Sequence, residues 1–162
     1  MMSENINLLI GIPESNNDYE LMVNSFINSK GYHIICGGRT ASCFAKYVNK
    51  EITIPLVYED NDIPPIGKMD GIDLITEGVI TLSKVLHYLQ ESPKQKNNKD
   101  GASLIYSYLI GSNSMINFFV GKSINTFHQN ELPNEFTNKL LIIDQIICNL
   151  KKLNKQLNIK YF

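Results

Sequence analysis

The strongest constraint in this sequence is an alternation. Short apolar runs that end in glycine or a small polar turn are followed by stretches whose apolar residues recur every three or four positions. A two-residue period and a 3.6-residue period that take turns along a chain are the pattern of strands alternating with covering helices. Residues 6–10 (INLLI) form the first apolar run, closed by Gly11 and Pro13. Asp18 is expected to cap a helix whose apolar face is Tyr19, Met22, Val23, Phe26 and Ile27. Ser29-Lys30-Gly31 ends it, a second strand runs over 32–36, and Gly37-Gly38 follows. Thr40 is expected to open the next helix, with Ala41, Phe44, Ala45 and Val48 on one side.

Residues 51–58 alternate, with Ile52, Ile54 and Leu56 on one face, and read as a strand. Pro55 argues for an edge position, because it cannot donate a ladder hydrogen bond. A turn-rich connection over 60–71 leads to a strand over 72–75, then Thr76-Glu77-Gly78 and a helix carrying Val79, Leu82, Val85, Leu86 and Leu89. Residues 92–101 are polar and read as an exposed loop, with Asp100 capping a helix over 102–110. A further strand over 116–120, a polar loop over 121–133, a helix over about 135–156 and a closing strand over 159–162 complete the pattern. The fold class is therefore α/β: one three-layer domain over 1–162, with a mainly parallel, Rossmann-like sheet of five to six strands. Near-continuous apolar strands such as Leu8-Leu9-Ile10 suit a sheet covered on both faces.

Composition excludes several classes. Fifteen Lys plus Arg against sixteen Asp plus Glu give a net charge of −1, without the basic excess of a nucleic-acid binder. No stretch reaches the roughly 18 apolar residues of a membrane span. The polar start, Met-Met-Ser-Glu-Asn, is unlike a secretory leader. Three widely spaced cysteines, Cys36, Cys43 and Cys148, read as reduced core residues rather than a disulfide or zinc framework. These features lead to the expectation of a cytoplasmic protein with no nucleic-acid or membrane partner. They imply no particular cofactor.

In a parallel sheet, ligands sit at the carboxyl ends of strands, where loops turn into helix N-termini. Four strands here meet Gly11, Gly37-Gly38, Glu77-Gly78 and Gly121 at that end. Paired glycines let backbone approach a ligand closely, and the helix dipole favours an anion. Arg39, the only arginine in the chain, stands beside them and can clamp phosphate or carboxylate. The bland alternative is a tight turn with a solvated Arg39. The order Gly37 to Ser42 lacks the third glycine of a dinucleotide fingerprint, and Gly121-Lys122-Ser123 lacks the earlier glycine of a triphosphate loop. Glu77 can bind a metal, act as a base or hold a hydroxyl, or simply favour its helix end. Asn125, His128 and Asn130 lie in a polar loop able to hydrogen-bond a ligand, or able only to turn the chain. His33, on a strand, and His87, on a helix, read as structural, and Cys36 reads as a buried, inert thiol.

Cys36-Gly37-Gly38-x-Thr40-Ala41 resembles the C-terminal region of bacterial SpoIIE-family phosphatases, which are PP2C-like serine/threonine phosphatases. So do Ile63-Pro64-Pro65-Ile66, the run from Gly71 through Glu77 to Val79 with Thr81-Leu82-Ser83-Lys84, Val120-Gly121 through Asn125 to His128-Gln129-Asn130, and the closing Ile159-Lys160-Tyr161-Phe162. Arg39 departs from that pattern, as does Ile12-Pro13 after the first strand. The resemblance implies a regulatory or ligand-sensing module that partners a PP2C-type catalytic domain. PP2C catalysis needs several aspartates holding two metal ions. Asp70-Gly71 and Asp100-Gly101 do not make that set, so no phosphatase site of this type is expected in the chain. The expected ligand-binding residues are Gly37, Gly38, Arg39, Thr40, Thr76, Glu77, Gly78, Gly121, Asn125, His128 and Asn130, for a small anionic or phosphorylated ligand. A small enzyme acting on a phosphorylated or nucleotide substrate, with Glu77 or His128 as base, and a protein-docking module are the alternatives.

Overall fold

A computed structural model of the chain describes residues 4–53, 67–91, 100–111, 114–122 and 133–162. The elements are β1 (Ile6–Ile10), α1 (Asn16–Asn28), β2 (Tyr32–Cys36), α2 (Gly38–Val48), β3 (Gly67–Met69), β4 (Ile72–Thr76), α3 (Val79–Glu91), α4 (Gly101–Gly111), β5 (Met115–Val120), α5 (Pro133–Lys152) and β6 (Gln156–Tyr161). The sheet order is β3-β4-β2-β1-β5-β6. Every pair is parallel except β3 with β4. The fold is α/β and Rossmann-like, with helices on both faces.

Strand alternation sorts the core into two layers. Leu8, Ile10, Ile34, Leu74 and Phe118 face α3, α4 and α5, where Leu82, Val85, Ile105, Ile143 and Leu150 meet them. Leu9, Ile35, Ile75 and Phe119 face α1 and α2, against Val23, Phe26, Ala41 and Phe44. All five residues of β1 are buried, as a central strand covered on both sides requires. The exception to its apolar character is Asn7, fully buried, whose amide donates to the carbonyls of Lys30 and Tyr32, both at 3.1 Å. Its Oδ1 accepts from Asn117 of β5 at 2.8 Å. This satisfied amide pair ties β1 to both neighbours at the amino end of the sheet.

Several boundaries differ from expectation, each for a local reason. Ser15, not Asp18, is the cap of α1: its Oγ accepts from the Asp18 N–H at 3.0 Å, which leaves the Asp18 carboxylate in the first turn beside the positive helix end. Ile27 is 42% exposed because it lies about 80–90° around the helix from the centre of the buried stripe. α2 starts at Gly38, two residues before Thr40. The stretch expected as a turn-rich connection over 60–71 contains β3, whose hairpin turn at Asp70-Gly71 uses a left-handed Gly71 (φ 85°). Of the strand expected over 51–58, Thr53 forms an antiparallel bridge with Lys68, and 54–66 lie outside the described residues. Residues 92–99 of the expected exposed loop lie outside them as well, while Gly101 already belongs to α4.

α5 stops at Lys152, four residues short of expectation. Asn154 takes the left-handed conformation (φ 60°), and the Lys155 N–H turns back to the Leu150 carbonyl at 3.1 Å. Asparagine here does the stop that glycine usually signals, which frees Gln156 to begin β6. The cysteines are free thiols but not all core residues: Cys36 is buried, Cys43 half-buried and Cys148 exposed on α5. Among the described residues, no helix is long and apolar enough to cross a membrane.

Candidate functional site

Because β1, β2, β4 and β5 are mutually parallel, their four glycine-bearing exits lie along one edge of the sheet. They meet there in two pairs. On one side, Gly11 and Gly121 bring the loops after β1 and β5 into backbone contact. A Cβ on Gly11 would stand 2.5 Å from the Gly121 carbonyl oxygen, and one on Gly121 would stand 2.3 Å from the Ile12 carbonyl carbon. The sheet order reverses at this point, the usual ligand crevice of an open α/β sheet. Here it is closed by backbone.

On the other side, the loops after β2 and β4 touch through Gly37 and Gly78, where a Cβ on Gly37 would stand 3.9 Å from the Gly78 Cα. The Gly37 N–H donates to the Thr76 carbonyl at 2.8 Å. Gly37 is left-handed (φ 119°) and serves as the N-cap of α2 without any side-chain acceptor. By contrast, α1 starts on Ser15 and α4 on Asp100, whose Oδ1 accepts from the Ser103 N–H at 2.8 Å. Among the described residues, the Gly38 and Thr40 N–H groups in the first turn of α2 have no intrahelical acceptor, and no N-cap side chain supplies one. Gly38 is exposed, and the position its Cβ would occupy is 3.3 Å from Glu77 Oε1, so the exposed Glu77 carboxylate overhangs this helix start.

The expected site residues fall into three groups. Gly38, Glu77, Arg39 and Gly78 are exposed or half-buried and form an accessible rim. Gly37, Thr40, Thr76 and Gly121 are buried and hold the edge together. Thr40 is 4% exposed and its Oγ1 accepts from the Gly11 N–H at 3.0 Å, which links the two loop pairs. Thr76 donates its hydroxyl to the Glu77 carbonyl at 3.0 Å. Asn125, His128 and Asn130 lie outside the described residues. No family model, curated protein or solved structure matches the chain.

Two features of this edge were not anticipated. One is the structural role of Gly11, expected only as a strand-end turn, whose close approach to Gly121 packs the two loops together; paired glycines after neighbouring strands were its only signal. The other is Gly101 at the start of α4. A Cβ there would stand 2.7 Å from Thr76 Cγ2, so the missing side chain lets a third helix start reach the end of β4. Thr81, in the first turn of α3, is buried there, and among the described residues its hydroxyl has no hydrogen-bond partner.

Other polar groups are accounted for elsewhere. Burial pushes the Cys36 thiol up to about 12, so it carries no nucleophilic thiolate near neutral pH. His33 Nε2 lies 3.0 Å from the Phe26 carbonyl, and its ring packs edge-on to Phe26. His87 pairs with Glu91 along the outer face of α3 at 3.1 Å. An open cleft of about 630 Å³ lies under the β3–β4 hairpin, at the opposite end of β4. Lys50 there donates to the Asp70 carbonyl, and Asp73 accepts from the His33 N–H. Those bonds brace the hairpin. Among the described residues, no group of three His, Cys, Asp or Glu side chains is placed to hold a metal ion.

Proposed function

We propose that this chain is a ligand-sensing module that binds a small phosphorylated ligand at the start of α2, with Gly38 and Arg39 on the anion and Glu77 on a neutral polar group beside it. The observation that carries the reading is the uncapped α2. A helix that starts on glycine at an exposed turn keeps donors and a positive dipole end available, a contribution of about 0.3–1 kcal/mol, and up to about 2 when partly buried. The overhanging Glu77 narrows the ligand class. A carboxylate repels a bare anion, so the ligand must offer Glu77 a hydroxyl or amine, as a sugar phosphate or nucleotide does. The resemblance to the SpoIIE-family C-terminal region supports a regulatory role beside a PP2C-type catalytic domain.

The test is a thermal-shift and calorimetric screen of nucleotides, sugar phosphates and inorganic phosphate. A ligand at about 100 times its Kd stabilises by roughly 2.7 kcal/mol. Gly38→Val keeps an allowed backbone but fills the helix start, and it should abolish binding while leaving the fold intact. Glu77→Gln should weaken hydroxylated phosphates and strengthen inorganic phosphate. Binding that survives both substitutions unchanged refutes the assignment.

A further inference from the structure

The free side of the sheet carries a second, independent feature. β6 is an end strand, and among the described residues no strand pairs with its far side. A six-residue strand paired with β5 on one side only offers its other edge as a template for pairing. Beside it, α5 buries Ile143, Ile146, Ile147 and Leu150 and leaves Leu141, Asp144, Cys148, Lys151 and Lys152 exposed. Asp144 lies on the β6 side of the helix, because the Tyr161 hydroxyl donates to it at 3.2 Å. Two large apolar side chains stay in the open here: Leu141, 50% exposed, and Tyr161, 45% exposed.

Positions 144, 148, 151 and 152 share one helical stripe. The stripe is acidic at one end and basic at the other, with Cys148 between them. Turned through a two-fold axis at Cys148, it matches itself: Asp144 faces Lys152 of a second copy, and Lys152 faces that copy's Asp144. Lys151 adds a second cation to each end. The same axis sets β6 antiparallel to β6 of the other copy, so that each free edge is covered by the other. Isologous pairing of this kind is how two-fold dimers close.

We propose that the β6 edge and the outer stripe of α5 form a two-fold interface with a second copy of this chain. The decisive experiment is sedimentation equilibrium of the full chain over a wide concentration range. The wild type should dimerise, more weakly as salt rises. Asp144→Lys, which sets lysine against lysine twice, should raise the dissociation constant roughly tenfold or more. Adding Lys151→Asp and Lys152→Asp to it should restore the dimer. Tyr161→Phe removes the same hydrogen bond without a charge change and should leave the dimer intact. A short bismaleimide should link Cys148 to Cys148 in a Cys43→Ser background, and Asp144→Lys should prevent it. A monomer at every concentration overturns the proposal. So does a dimer that Asp144→Lys leaves unchanged, or one that the reversed charges fail to restore.

Discussion

Replacing Thr40 with valine tests whether the carboxyl edge of the sheet is held together as described. Thr40 Oγ1 is 3.0 Å from the Gly11 N–H, and both residues are buried. Valine keeps the branched shape and has nearly the same helix propensity, so the change removes an acceptor and little else. An N–H left unpaired out of reach of water costs about 1–3 kcal/mol. The added methyl returns up to about 0.8 kcal/mol of apolar burial. The net loss should be on the order of 1–2 kcal/mol. At roughly 2–4 °C per kcal/mol for a chain of this size, the melting temperature should fall by about 2–8 °C. Thr40→Ser keeps the acceptor but loses a methyl worth about 0.8 kcal/mol, so melting alone does not separate the two variants. Amide hydrogen exchange at Gly11 does. The valine variant should lose protection at that one amide, and the serine variant should keep it. A valine variant within about 0.5 kcal/mol of wild type, with Gly11 still protected, would refute the role assigned to Thr40.

Three other outcomes follow from the same contacts. Gly121→Ala forces a Cβ to within 2.3–2.6 Å of three backbone atoms of Ile12, and should destabilise by about 3 kcal/mol or more in a urea melt; a loss below about 1 kcal/mol would mean the loops part freely. Asn7→Ala takes the acceptor from the half-buried Asn117 amide and the donor from the Lys30 and Tyr32 carbonyls, and should cost about 1–3 kcal/mol, with Asn117→Ala no worse than additive alongside it; a neutral Asn7→Ala would remove the amide pair as an anchor of β1. The raised Cys36 thiol makes the folded state hold a proton that the unfolded chain releases above about pH 9. Its stabilising contribution is therefore complete below that pH and is lost as pH climbs from there toward 12. Cys36→Ala should flatten that part of the stability profile, and maleimide should label Cys148 in the native protein but reach Cys36 only on unfolding.

Alternation of strand-like and helix-like periods made the α/β class readable, because a helix buries one residue in every three or four and a covered strand buries nearly all. Leu8, Leu9 and Ile10 of β1 carried that signal, as did Val85, Leu86 and Leu89 of α3. β3 escaped notice because three residues of a hairpin offer no period to measure. The end of α5 escaped because Asn154, rather than a glycine, takes the left-handed turn. The rim residues Gly38 and Glu77 were legible as a glycine turn and a carboxylate at strand ends. Their overlap in space was not, since it depends on β2 and β4 lying side by side although 35 residues separate Cys36 from Ile72. The same holds for Thr40, which reads as a helix-opening hydroxyl in the sequence and works in the fold as an acceptor for Gly11. Local chemistry, written in one stretch of chain, decided which segments became strands and helices and which ends carried donors. Tertiary structure alone decided that Gly11 and Gly121 close the central crevice, that the Glu77 carboxylate stands over the start of α2, and that β6 ends the sheet of the described residues beside α5. Each of those depends on strand order, and strand order is set by packing between residues far apart in the chain.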